Sequence, residues 1–89
     1  MVRWRIVQTP EYASAVASLA PSSREALASL YRILAQGPLP EESLLAVMPY
    51  AAIPNAYSVP VGGQGLVVYL VLPAKQTVGL VGLIWTSEG

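Results

Sequence analysis

Five cations (Arg3, Arg5, Arg24, Arg32 and Lys75) and five glutamates are the whole side-chain charge of this 89-residue chain, whose formal net charge is zero. Histidine, cysteine, phenylalanine and aspartate are absent. A histidine general base, a cysteine nucleophile and the usual zinc or iron–sulfur ligand sets are therefore excluded by inventory, and no metal or cofactor is expected. The chemistry left to the cations is phosphate binding. Arg24 and Arg32, eight residues apart, share a helical face, and Arg3 and Arg5 share a strand face, so the four are candidates for one phosphate- or RNA-binding patch. Solvated charges covering a helix and a strand edge account for the same residues. With no net charge, affinity for nucleic acid or the ribosome is expected to be weak.

The other chemical candidates have structural explanations of their own. Glu41 and Glu42 are adjacent, diverge on a helix, and fit a first turn where carboxylates complement the positive end of the dipole. Gly62-Gly63-Gln64-Gly65 has the glycine content of a phosphate-cradling loop, but it precedes a strand pattern rather than a helix and reads as a hairpin turn. Tyr12 and Tyr31 fall on apolar helical stripes and read as core, whereas Tyr57 and Tyr69 sit in strand patterns from which they could reach an open sheet face and stack on a base or a partner.

The elements that must position these residues follow from periodicity and punctuation. Residues 4–7 alternate Trp4 and Ile6 with Arg3 and Arg5, a strand pattern. Thr9-Pro10-Glu11 reads as a helix start, with Thr9 as N-cap and Pro10 at the first helical position, and Tyr12, Ala15, Val16 and Leu19 form one apolar stripe. Pro21 breaks this helix, and Ser22-Ser23-Arg24-Glu25 has the form of a capping box opening a second one. Leu27, Leu30, Tyr31 and Leu34 repeat the stripe before Gly37-Pro38 ends it, which makes an antiparallel helix hairpin. Residues 40–48 are compatible with a third short helix or with loop.

Eight of the ten charged residues lie within the first 42 positions, and Lys75 is the only charge between residues 43 and 87. That apolar half is cut by Pro49, Pro54, Pro60, Pro73 and the glycines into runs far shorter than the roughly 20 residues of a membrane span. It reads as three strands, at 57–61, 66–72 and 77–85, of which 66–72 is apolar on both faces and therefore central. No membrane association is expected. The absence of thiols and the charge pattern of the first residues lead to a cytoplasmic expectation. An uncharged sheet that two helices can cover on one side only is expected to self-associate or to need a partner, through 66–72, 77–85 and side chains such as Tyr57, Tyr69, Leu83 and Trp85.

The order strand, helix hairpin, three-stranded antiparallel meander resembles the RelE/ParE superfamily of type II toxin–antitoxin toxins. Trp4-Arg-Ile-Val-Gln-Thr-Pro-Glu-Tyr12 is similar to the strand-to-helix step at the start of these toxins, Leu19-Ala-Pro21 with Arg24 to their helix junction, and Tyr57-Ser-Val-Pro-Val-Gly62 with Leu66-Val-Val-Tyr69 to their second and third strands. The resemblance implies a single α+β domain over residues 1–89, with one sheet and helices on one face. It implies a toxin-like component of a toxin–antitoxin pair, controlled by an antitoxin segment. Family members usually carry arginines at the positions of Ser58 and Leu66, and their C-terminal segment often brings His, Arg or Tyr, none of which occurs in Val81-Gly-Leu-Ile-Trp85. Weak or no ribonuclease activity is therefore expected. The alternatives are a non-catalytic binding or assembly module of the same fold acting through homo-oligomerisation, and a gyrase inhibitor of the ParE kind, which needs no nuclease residues.

Overall fold

The computed structural model describes residues 3–38, 47–61 and 65–85. Its elements are β1 (Arg5–Gln8), α1 (Pro10–Ala17), α2 (Pro21–Leu34), β2 (Met48–Pro49), β3 (Ala56–Val61), β4 (Gly65–Leu72) and β5 (Thr77–Trp85), with a 3₁₀ turn at Pro73–Lys75. The strands form one mixed sheet in the order β1-β5-β4-β3-β2. β1 runs parallel to β5, and every other pairing is antiparallel.

Local chemistry sets the helix starts. The Thr9 hydroxyl accepts the Tyr12 amide at 3.2 Å, Pro10 opens α1 and Glu11 lies in its first turn, as the sequence leads one to expect. The start of α2 differs from the capping-box reading. Its N-cap is Ala20, no side chain caps it, and Pro21 is the first helical residue rather than a breaker. Proline has no amide hydrogen to satisfy and a fixed φ suited to a first turn, so the helix begins two residues earlier than a Ser22 cap would set it. At the far end of α2, the Ala35 carbonyl accepts the Trp4 amide at 2.8 Å and ties the helix to the chain entering β1.

The three long strands match the expected runs to within a residue. β4, apolar throughout, is central between β3 and β5. The sheet gains a strand over the four expected, because Met48 and Pro49 pair with Ser58 and Tyr57. A two-residue pairing that includes a proline has no alternation to read, and its brevity suits an edge. Residues 40–46 of the proposed third helix lie outside the described residues, and Met48 belongs to β2.

Both helices cover the same face of the sheet. Tyr12, Leu27, Leu30 and Leu34 form one buried cluster with Val59, Val61, Val67, Tyr69, Val71, Val78 and Leu80, and Trp4, Ile6, Tyr57, Leu83 and Trp85 pack against it. Alternation along each strand sends the intervening residues to the opposite face. A β-bulge keeps that segregation in register: Val68 pairs with Gly82 but Tyr69 with Leu80, which leaves Val81 as the extra residue.

Candidate functional site: the open face of the sheet

Cross-strand pairing orders the face away from the helices into rows. Ser58 lies between Met48 and Val68, and Val68 lies beside Gly82. Leu66 lies between Pro60 and Ile84. Leu70 lies between Ala56 and Gly79, and Gly79 lies beside Val7. The last row joins Leu72, Thr77 and Arg5. Met48 is 64% exposed, Ile84 56% and Val7 44%, whereas Ala56 and Val68 are buried although they lie outside the core cluster.

The positions that the family resemblance matches to arginines therefore share this face. Ser58 and Leu66, both half-buried, come from adjacent strands and are surrounded by apolar neighbours. Among the described residues on this face Arg5, at one corner, is the only charge. A site that cleaves RNA through the 2′-hydroxyl must stabilise a dianionic phosphorane and needs cations and an acid/base pair around it. Among the described residues this face presents two hydroxyls, Ser58 and Thr77, in a field of leucine, valine and methionine. What such a surface offers is apolar area for another macromolecule.

The remaining cations are distributed elsewhere. Arg24 and Arg32 are exposed on α2, in the helix layer, and the Arg32 guanidinium donates to the Ser29 hydroxyl at 3.2 Å. Arg3 is exposed just before β1, and Lys75 is exposed in the 3₁₀ turn. The fold thus puts Arg3 and Arg5 at the entry and first residue of β1 and Arg24 and Arg32 on α2, with the two pairs in different layers.

The tyrosines take up structural positions. Tyr69 pairs with Tyr57 on the helix-facing side, not the open one, with ring centroids 6.0 Å apart. Tyr69 is fully buried, its hydroxyl donates to the Pro38 carbonyl at 2.6 Å, and burial raises its phenol well above the usual range. Leu83 and Trp85 also pack against the core. A strand that is apolar on both faces carries no signal of which side turns inward, so the expectation that Tyr57 or Tyr69 reaches the open face is corrected by the register. In the helix layer the Tyr12 and Tyr31 hydroxyls lie 2.6 Å apart. Burial raises both phenols; the shared bond raises Tyr12 further and partly offsets the rise at Tyr31. Neither is a base at neutral pH, and both sit across the sheet from the open face.

The open-face residues that the sequence reading did not single out are Val7, Met48, Leu70, Gly79, Gly82 and Ile84. The signal for two of them was present: Gly79 and Gly82 interrupt an otherwise branched strand, and glycine within a strand marks a close backbone approach or a missing packing partner.

No family model matches the sequence, and no curated protein matches it. Solved structures match the fold along nearly its whole length. An archaeal RelE–RelB complex from Pyrococcus horikoshii OT3 superposes with a TM-score of 0.78 at 18% identity, covering 97% of this chain and 98% of that one. The intact Escherichia coli RelBE toxin–antitoxin complex gives 0.77 at 16% identity, covering 97% and 99%. The RelBE2 toxin–antitoxin complex of Mycobacterium tuberculosis gives 0.66 at 20% identity, covering 99% and 97%. The chain has a RelE-like α+β fold.

Proposed function

We propose that this protein is a toxin-like component of a type II toxin–antitoxin pair, held in check by an antitoxin segment, with weak or no ribonuclease activity. The antitoxin partner is inferred from neighbours of the same fold that are toxin–antitoxin complexes. The reading of the activity is carried by one observation: Ser58 and Leu66 stand where the resemblance calls for two cations, on a face whose one charge among the described residues, Arg5, lies at a far corner. Loss of one transition-state cation or donor commonly costs 10²-fold or more, so two together leave little cleavage. The same observation favours a second target, because inhibition of gyrase in the ParE manner does not require those cations.

Induced expression in a bacterial host, with and without a small acidic or DNA-binding protein encoded beside this chain, tests both parts. The expected result is growth arrest reversed by that neighbour, with intact mRNA; altered plasmid supercoiling would identify the gyrase-type target. Codon-specific mRNA cleavage in a translation extract, at rates near those of active RelE toxins, would overturn the reading of the activity. In that event alanine at Arg24 and Arg32 together should abolish cleavage. Growth unaffected by expression would overturn the toxin reading itself.

A further inference from the structure

We propose that the open face of the sheet closes on a second copy of this chain, forming a two-fold dimer in which the apolar ridge of β4 lies over the partner's Gly79 in β5. The register of the sheet makes this surface self-complementary. On the open face Leu70 is the direct cross-strand neighbour of Gly79; at Gly82 the buried Val68 side chain already fills the adjoining space, so the Leu70–Gly79 row carries the complementarity. A Cβ built on Gly79 meets nothing within 4 Å, so a hollow opens there beside the Leu70 side chain. A two-fold axis parallel to the strands, above the line between β4 and β5, preserves height along the strands and exchanges left with right. It places Leu70 over the partner's Gly79 and the partner's Leu70 over Gly79, the reciprocal pairing of an isologous interface. Two sheets packed in this way interdigitate large side chains with gaps, as in a sandwich core.

Charge and area agree with a second copy as the occupant. Among the described residues the face carries one charge, Arg5, in the corner row with Leu72 and Thr77, where it stays at the rim. The chain has no net charge, so two copies meet without long-range repulsion. The strands β1, β3, β4 and β5, four to nine residues long, about 4.8 Å apart and rising about 3.3 Å per residue, present about 430 Å² per copy. The total, about 850 Å², is below that of a standard stable interface and corresponds to a weak, concentration-dependent dimer. The inference rests on the register and composition of the face and is independent of the toxin reading.

Sedimentation velocity on the full chain over a range of micromolar concentrations tests it. The wild type should pass from monomer to dimer as concentration rises and form nothing larger, because a two-fold interface closes. Gly79→Lys adds a charged side chain where this chain has room for it. It should remain monomeric at every concentration, with far-ultraviolet circular dichroism and thermal midpoint unchanged. Ile84→Lys, at a side chain already more than half exposed, should weaken association at least tenfold, whereas Arg32→Glu on the helix layer should leave it unchanged. A wild type that is monomeric throughout, open-ended aggregates in place of a dimer, a Gly79→Lys protein that dimerises like the wild type, or loss of the dimer in Arg32→Glu would each overturn the proposal.

Discussion

At the scale of single residues the fold depends on a few polar atoms placed inside an apolar body. Tyr69 donates to the Pro38 carbonyl, and Tyr12 and Tyr31 satisfy one another, so no buried side-chain polar atom among the described residues lacks a partner. Tyr69→Phe removes one of these bonds and leaves the carbonyl unpaired, at an expected cost of about 1–2 kcal/mol in urea denaturation. The three phenols also give a pH dependence of definite sign. Each is raised in the folded protein relative to the usual value of about 10. The unfolded chain therefore ionises first. The contribution to stability is fully present below about pH 10 and is lost as pH rises beyond it. Urea midpoints measured from pH 8 to pH 11 should be flat and then fall, and Tyr69→Phe should show a shallower fall. A third residue-scale consequence concerns Gly65, where a built Cβ collides with the indole of Trp85, its cross-strand partner. Gly65→Ala should destabilise by about 1–3 kcal/mol, as overpacking does. The same change at Gly79, where there is open space, should be close to neutral in a thermal melt.

Elements differ in how much of them the sequence announces. β4 and β5 are bounded by glycine, by proline and by the turn at Gln76, whose φ of 47° lies in the left-handed region, so their ends were legible to a residue. α1 was legible because Thr9-Pro10-Glu11 carries three independent start signals, and Thr9→Ala should cost about 1 kcal/mol in chemical denaturation. α2 was misread at its start because two start signals overlap there, and the proline at the first helical position, not the Ser22 hydroxyl, sets where the helix begins. β2 was missed because two residues have no period. The open face was the least legible part of the candidate site, since alternation along β4 is apolar with apolar. The strand announces its central place while concealing which side turns toward the helices.

At the scale of the whole molecule the decisive feature is one that no local pattern contains: β1 docks in parallel on β5, more than 70 residues later. Helix, hairpin and meander could each be read locally, but this closure could not, because its partners are neighbours only once everything between them is in place. Such pairing makes the sheet depend on both strands at once. Removing β1 bares Val78 and Leu80, both fully buried in the intact fold. A chain lacking residues 1–8 is therefore expected to lose its cooperative thermal transition, whereas Arg5→Ala, which alters only an exposed side chain, is expected to keep it. No helix among the described residues is long and apolar enough to cross a membrane.

The parallel ladder between β1 and β5 also has a mechanical meaning. The start of β1 and the end of β5 lie at opposite ends of the paired strands, so tension applied between those points slides one strand along the other and loads the rungs from Arg5–Thr77 to Gln8–Leu80 together. The antiparallel β3–β4 hairpin, pulled from its open end, would instead unzip rung by rung. A motor pulling on the chain before β1 or after β5 loads this ladder in shear, whereas a force that parts Ala56 from Leu72 opens the β3–β4 hairpin one rung at a time.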